Sequence, residues 1–182
     1  MKLASLLFFA LLVGAHWACG LDQPLQEPLC SFRESDCRSL GYALFGAIAL
    51  IGAVYAIGLR RHGQPGEAAN AVGSGLLLLL IAATPSGWAL HRAAAMVLLF
   101  SIFAHYAIVL LAGPRALLLS HASTPFLLAI ATGFQSYGLW QKGMICYLVV
   151  VAVIHHHVVM RRLCGFGKDV GCSLQDAPLK TV

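Results

Sequence analysis

Residues 40–61 read LGYALFGAIALIGAVYAIGLRR, twenty apolar or small residues followed by two arginines. A helix needs about 20 predominantly apolar residues to cross the hydrocarbon core of a bilayer. Lys and Arg accumulate where such helices reach the cytoplasmic face, so Arg60 and Arg61 mark one end of the segment. The stretch therefore predicts a transmembrane helix over Leu40–Leu59.

The composition extends this prediction to the whole chain. Of the 182 residues, 59% are hydrophobic and only 10% are charged. Soluble domains carry about 25% charged residues, so this chain lacks the polar surface that water requires. The net charge of +5 at pH 7 is spread along the chain without interleaved aromatic residues, and we expect no nucleic-acid partner.

Five further apolar runs accompany the first one, and Gly or Pro residues lie between them. They predict an all-α, polytopic transmembrane helix bundle with six spans over residues 1–162. An outer loop at 20–39 and a tail at 163–182 complete the predicted chain. The predicted spans are Leu3–Cys19, Leu40–Leu59, Ala69–Thr84, His91–Ala112, Leu117–Phe134 and Met144–Met160.

The Lys and Arg residues favour one orientation of this bundle. If the N-terminus is inside, eight of the 12 basic residues fall on the inner side and four on the outer side. Basic residues are enriched in cytoplasmic loops, so both termini are predicted inside. The loop at 20–39 is then periplasmic or extracellular. Because the chain is compact and rich in alanine and leucine, we predict a bacterial inner (plasma) membrane.

The first apolar run has two interpretations. Its sequence, MKLASLLFFALLVGAHWACG, has the basic start, apolar centre and small-residue end of a signal peptide. The residues before Cys19 fit a cleavage site badly, since Trp17 is bulky. We therefore predict a retained first helix; if the run is cleaved, five spans remain.

The acidic residues restrict the chemistry. All seven lie outside the predicted apolar runs. Ion-coupled transporters and proton pumps usually keep a carboxylate within the membrane to hold the cation or proton. Paired-carboxylate acid–base catalysis has the same requirement for placed carboxylates. The pattern therefore predicts a protein without these activities.

Three histidines lie at similar predicted depth on three helices. His105, His121 and His156 fall roughly 8 to 10 Å from the inner ends of their spans, at 1.5 Å per residue. Imidazoles at one depth on neighbouring helices suit a bis-histidine haem b or a small metal site. His91 and His105, with 13 residues between them, also have a spacing typical of membrane dihaem cytochromes.

The alternative is that these histidines bind no cofactor. Consecutive side chains point about 100° apart on a helix, so His155, His156 and His157 cannot all face one site. Neutral imidazoles near a helix end also reach the headgroups or pair with hydroxyls on other helices. We therefore expect no cofactor, with haem b as the alternative.

Two cysteines in the outer loop, Cys30 and Cys37, are separated by six residues. In an oxidising compartment this spacing predicts a structural disulfide. The alternative is a thiol oxidase of the DsbB or vitamin K epoxide reductase kind, with Cys146 at the membrane edge. The position three before Cys146 is Gly143, so the C-x-x-C of such enzymes is missing.

Small residues recur in the second and third spans. They let helix backbones approach closely where no hydrophobic force acts between helices. This pattern predicts packing inside the bundle, with docking of a partner subunit as the alternative. The glycines assigned this role are Gly46, Gly52, Gly58, Gly73 and Gly75.

The order of several short motifs resembles the Frag/DRAM/Sfk group of six-helix membrane proteins and their bacterial relatives. The motifs are a Pro-containing outer loop, LFGAIALIGAVYAIGLRR at 44–61, a helix ending at Thr84-Pro85, LHRAAAMVLLF at 90–100 and GLWQK at 138–142. Members are associated with lipid handling or regulation at membranes. The resemblance implies a six-helix, lipid-interacting protein.

These features predict a non-catalytic integral membrane protein, an accessory or scaffold subunit of a larger assembly. Membrane lipids and membrane-protein subunits are its expected partners. The absence of a membrane carboxylate and the small extramembrane mass both favour this hypothesis. A haem b electron-transfer protein and a thiol oxidase are the alternatives.

Overall fold

The computed structural model describes residues 1–19, 27–34, 36–61, 63–111, 113–133 and 136–166. These residues form seven α-helices and no strand. Most of the predicted tail and residues 20–26 of the predicted outer loop lie outside the described residues. The helices are α1 Lys2–Ala18, α2 Leu29–Glu34, α3 Arg38–Arg61, α4 Pro65–Ala83, α5 Ala89–Leu111, α6 Arg115–Ala131 and α7 Tyr137–Phe166.

The predicted helical membrane bundle is confirmed at the level of its apolar helices. Four helices, α3, α4, α5 and the Tyr137–Val158 part of α7, are long and apolar enough to cross a bilayer. Helices α1 and α6 are apolar but have 17 residues each, or about 25 Å at 1.5 Å per residue. Helix α7 begins seven residues before the predicted start at Met144.

Proline and glycine residues set the helix boundaries. Gly63 adopts φ 74° between α3 and α4, a conformation that residues with a Cβ rarely adopt. Pro65 follows at the first position of α4, where its missing N–H costs no helical hydrogen bond. Gly133, with φ 70°, follows α6 in the same way. These short turns place neighbouring long helices antiparallel.

Helices α3 and α7 form the centre of the bundle. Helix α3 packs against α1, α2, α4 and α7, while α7 also packs against α1, α5 and α6. We call the end of the bundle where α2 lies the α2 end and the opposite one the far end. Because successive long helices run in opposite directions, α3, α5 and α7 start at the α2 end and α4 starts at the far end.

Helix α2 is an element that the sequence did not predict. It is six residues long and lies within the predicted outer loop. Leu29 and Phe32 are buried in a cluster with α1, α3 and α7, so α2 is part of the core and not a surface loop. Gly41 of α3 permits this, because a Cβ there would lie 2.5 Å from Arg33 Cα and 2.7 Å from Phe32 C.

Four of the five glycines assigned to helix packing have open space where a Cβ would lie. Gly46, Gly52, Gly73 and Gly75 have no atom within 4 Å of the place where a Cβ would lie. Among the described residues, no close approach of a neighbouring helix requires glycine at these positions. Gly58 does face a neighbour, because a Cβ would lie 3.0 Å from His156 Nε2 of α7.

Candidate functional site: an apolar cavity with a polar end

The four long helices surround a cavity of about 140 Å³. Its walls are mainly aliphatic side chains of α3, α4, α5 and α7, and α2 contributes Leu29 and Cys30 at one end. Gly52 also lies in the wall, on the α3 side. The cavity therefore lies along the axis of the helices that are long enough to cross the membrane.

A tyrosine and two histidines from three helices meet at the far end of the cavity. The hydroxyl of Tyr55 lies 3.1 Å from Nε2 of His105 and 2.6 Å from Nδ1 of His155. Tyr55 is 5% exposed. Tyr106 of α5 lies beside it, with ring centroids 6.1 Å apart. Tyr55, His105 and Tyr106 line the cavity directly.

The hydrogen bonds of Tyr55 impose an order on the two imidazoles. A tyrosine hydroxyl has one hydrogen, and a neutral imidazole has one N–H and one acceptor nitrogen. Tyr55 can therefore donate to at most one of the two histidines, so at least one imidazole donates to the tyrosine oxygen. The three side chains form a continuous His–Tyr–His chain between α5, α3 and α7.

Glu67 adds a carboxylate to this cluster, which corrects the sequence-based placement of the acidic residues. It was predicted to lie in a loop, but it lies in the first turn of α4. Its Oε2 is 4.0 Å from Nε2 of His105. A negative charge is stabilised at a helix N-terminus, which accounts for a carboxylate so close to the apolar wall. We call Tyr55, His105, Tyr106, His155 and Glu67 the far-end cluster.

Two hydroxyl or amide side chains interrupt the apolar wall on α4. Asn70 accepts a hydrogen bond from Oγ of Ser101 at 3.1 Å. Ser74, one turn further along, has a buried Oγ without a hydrogen-bond partner in the described part of the chain. Both residues line the cavity, so the wall of α4 offers polar atoms part of the way along it.

The α2 end of the cavity is held by side-chain to backbone hydrogen bonds. Oε1 of Gln141 in α7 accepts from the backbone N–H of Leu29 at 3.1 Å, which fixes the start of α2. Nδ1 of His91 lies 3.0 Å from the carbonyl oxygen of Thr84, at the end of α4. As the carbonyl can only accept, the His91 ring donates there.

Arg33 of α2 caps the C-terminal end of α4. Its Nη1 donates to the carbonyl of Ile81 at 2.9 Å and to that of Ala82, and its Nη2 donates to the carbonyl of Thr84 at 2.7 Å. The last carbonyls of a helix have no partner within that helix, and a cation there is favoured by the helix dipole. Arg33 is only 5% exposed.

Glu34 completes this connection on the solvent side. One of its oxygens pairs with Arg33 Nη2 at 2.9 Å and accepts from the backbone N–H of Ser86 at 2.7 Å, while the other accepts from the Ser86 hydroxyl. Partial burial raises the pKa of the Glu34 carboxyl, but the Ser86 and Arg33 contacts outweigh it and lower that pKa overall. Helix α2 is therefore joined to the turn between α4 and α5.

The three histidines predicted to share a site have different surroundings. His105 belongs to the far-end cluster, whereas the ring of His156 faces Gly58 of α3. His121 is 1% exposed, and its two nitrogens lie 2.6 Å from the Tyr147 hydroxyl and 3.0 Å from the Phe103 carbonyl. Within the described ranges, no group of three or more His, Cys, Asp or Glu has the geometry of a metal site.

His121 connects three helices, and its replacement by phenylalanine should weaken the bundle. The ring stacks on Phe103 with centroids 4.1 Å apart. Phenylalanine keeps this stacking but removes both hydrogen bonds. Such bonds between membrane helices are worth about 0.6 to 1.7 kcal/mol each, so we expect a loss of about 1 to 3 kcal/mol in SDS unfolding from mixed micelles. Ser123→Ala, which removes a hydrogen bond within α6, should change little; an equal effect would contradict the role of His121.

The cysteines do not form the predicted disulfide in this structure. Cys30 is buried at the α2 end of the cavity, and no disulfide is formed among the described residues. Burial raises the pKa of the Cys30 thiol, with Glu34 adding to the effect. A thiol oxidase needs a thiolate with a low pKa. The environment of Cys30 does not favour that chemistry.

Four members of these sites were not predicted from the sequence: Arg33, Tyr55, Glu67 and His155. A tyrosine near the end of an apolar run is ordinary in a membrane helix, and Arg33 was counted only as a charge on the outer side. The one usable signal was Pro65, which marks a helix start two residues before Glu67. That signal places the carboxylate in α4.

Comparison with known proteins provides no further constraint on the function. No protein-family model matches this chain, and neither a curated protein nor a solved structure does so.

Proposed function

We propose that this protein is a non-catalytic integral membrane protein that binds a small apolar ligand between α3, α4, α5 and α7. The observation that supports this proposal is the cavity of about 140 Å³ with its polar far end. Ligand sites are typically concave and mostly apolar, with a few placed polar groups. The ligand would come from the membrane, and the protein would act as an accessory subunit of a larger assembly.

The proposed topology has six spans, with α1 and α6 crossing a locally thinned bilayer, and both termini inside. A short apolar helix is accommodated by bilayer thinning at modest cost. Trp17 and Trp88, which are 87% and 58% exposed, then lie at the outer interface, where tryptophan is enriched. The membrane would be a bacterial inner membrane, and the far end would face the cytoplasm.

One feature of the cavity and one sequence resemblance support ligand binding over simple imperfect packing. A packing defect in a core is lined by apolar groups, because a buried polar atom without a partner costs roughly 1 to 3 kcal/mol. Ser74 presents such an atom in this wall. The resemblance to the Frag/DRAM/Sfk group, whose members are associated with lipid handling, agrees with a membrane-derived ligand.

Filling the cavity from α3 should abolish ligand binding. Gly52 lies in the wall with no atom within 4 Å of a Cβ position, so the side chain of Gly52→Leu would occupy the cavity without displacing backbone. We expect at least a tenfold loss of affinity for fluorobenzene, measured by ¹⁹F NMR in lipid nanodiscs. Gly46→Leu is the matched control, because Gly46 is exposed on the same helix and is equally unobstructed.

The result of this comparison decides the proposal. Binding that is lost in Gly52→Leu and kept in Gly46→Leu supports it. Binding that is equal in both variants means that fluorobenzene dissolves in the lipid or binds elsewhere, and the proposal is then wrong.

The haem b hypothesis has a separate test. Of the three histidines predicted for haem, only His105 lies in the far-end cluster, where His155 of α7 is a second imidazole that also contacts Tyr55. A visible spectrum of the purified protein, recorded before and after dithionite, should contain a Soret band that sharpens on reduction if one haem binds per chain. A colourless, ligand-binding protein would reject haem.

A further inference from the structure

We propose that the cavity recognises a six-membered ring that bears a hydroxyl group, such as a phenol or the ring of a quinol, with the hydroxyl at Tyr55 and His105. This inference rests on the proposed function and adds the chemical class of the ligand. It depends on the size of the cavity, on the chemistry of the far-end cluster and on the charge of Glu67.

The size of the cavity limits the ligand to about one ring. An engineered cavity of about 150 Å³ lined by aliphatic and aromatic side chains binds benzene, and this cavity has about 140 Å³. A complete phospholipid or a fused polycyclic molecule exceeds that volume. The aliphatic walls from Ile48, Leu99 and Leu148 suit the faces of such a ring.

The far-end cluster is suited to a hydroxyl group. Hydroxyls and neutral imidazoles each offer both a donor and an acceptor. The Tyr55 hydroxyl bonds to two imidazoles and also pairs with the hydroxyl of Tyr106, so several donors and acceptors meet at the end of the cavity. A ligand hydroxyl also donates once and accepts twice, so it can join this network by exchanging a bond with Tyr55 or His105. A purely apolar ligand would make no hydrogen bond to the far-end cluster.

Glu67 opposes an anionic ligand. Its carboxylate lies 4.0 Å from Nε2 of His105, the imidazole that lines the cavity. A second negative charge at this end would be repelled in a region of low dielectric constant. Neither Arg nor Lys occurs among the cavity-lining residues to compensate. Carboxylates and phosphates are therefore excluded, while a neutral phenol is accepted.

The experiment compares fluorobenzene with 4-fluorophenol by ¹⁹F NMR in lipid nanodiscs, with affinities corrected for partitioning into the lipid. Wild-type protein should bind 4-fluorophenol about three- to twentyfold more tightly, the range of one hydrogen bond between membrane helices. Tyr55→Phe should reduce this ratio to about one and leave the fluorobenzene affinity within about twofold. Tyr42→Phe, an exposed position on the same helix, should retain the wild-type ratio.

The possible results separate this inference from the proposed function. Equal affinities for the two probes in wild type, or a preference that survives Tyr55→Phe, would overturn the inference while fluorobenzene binding keeps the proposed function. If the wild-type protein binds neither probe, both the inference and the proposed function are wrong. Fluorobenzene binding also reports whether Tyr55→Phe is folded; if it is not, His105→Gln provides the same comparison from α5.

Two further experiments test the charge and the source of the ligand. Binding of 4-fluorobenzoate as tightly as 4-fluorophenol would overturn the inference, because Glu67 should repel the anion. In the second experiment, hydroquinone with or without one prenyl group competes with bound 4-fluorophenol. Displacement mainly by the prenylated form assigns a membrane quinol, and displacement mainly by free hydroquinone assigns a small diffusible phenol. Displacement by neither would overturn the inference.

Discussion

Replacing Arg33 by leucine should destabilise the bundle by about 3 kcal/mol, the largest effect that we expect from a single substitution. Arg33 donates to three carbonyls at the end of α4 and pairs with Glu34. Hydrogen bonds to charged groups contribute about 1.5 to 3 kcal/mol, and buried carbonyls left without a donor pay their full desolvation cost. The measurement is the free energy of unfolding in SDS mixed micelles.

Arg92→Leu is the matched control for this substitution. Arg92 is exposed and lies near the start of α5, at the same end of the bundle. Arg92→Leu removes one positive charge from that end, as Arg33→Leu does. Both variants therefore change equally the distribution of basic residues that orients the helices in the membrane. A loss of stability under 1 kcal/mol in Arg33→Leu, or an equal loss in Arg92→Leu, would contradict the capping role.

Replacing Gly41 by alanine should cost about 2 kcal/mol through the displacement of α2. The new Cβ would lie 2.5 Å from Arg33 Cα and 2.7 Å from Phe32 C, and these backbone atoms cannot rotate away. Overpacking costs about 1 to 3 kcal/mol, and the better helix propensity of alanine offsets only part of it. Unfolding in SDS mixed micelles measures the loss, and the rate of Cys30 modification by maleimide measures the exposure of α2.

Gly46→Ala provides the opposite expectation on the same helix. No atom lies within 4 Å of its Cβ position, so only the helix propensity changes and stability should rise by about 0.5 to 1 kcal/mol. Cys30 should stay as unreactive as in wild type, since α2 is undisturbed. If both alanine variants are equally stable, the close packing of α2 on α3 is wrong.

The positions of the apolar helices could be predicted because they depend on local composition. A run such as Leu40–Leu59 must form its backbone hydrogen bonds within itself in lipid, whatever its neighbours are. The structure places α3 at Arg38–Arg61, which contains that run. Helix α2 could not be found in this way. Its six residues are stable only because α1, α3 and α7 bury Leu29 and Phe32.

The candidate site could be predicted only in part, for a related reason. His105 was selected from the sequence as a polar residue deep in a span, and it lines the cavity in the structure. Its partners Tyr55 and Glu67 come from other helices, and the rotation of each helix about its axis decides which of its faces meet. That rotation is set by packing with neighbouring helices. A sequence pattern does not contain it.

By itself, the sequence determined that this is a helical membrane protein with few charges and with histidines inside its spans. Composition and run length are sufficient for that, because a bilayer penalises every exposed polar group. Only the tertiary structure decided that Arg33 caps α4, that Glu67 approaches His105, and that four helices leave a cavity with a polar end. Each of these features joins residues distant in the chain, so helix packing creates them.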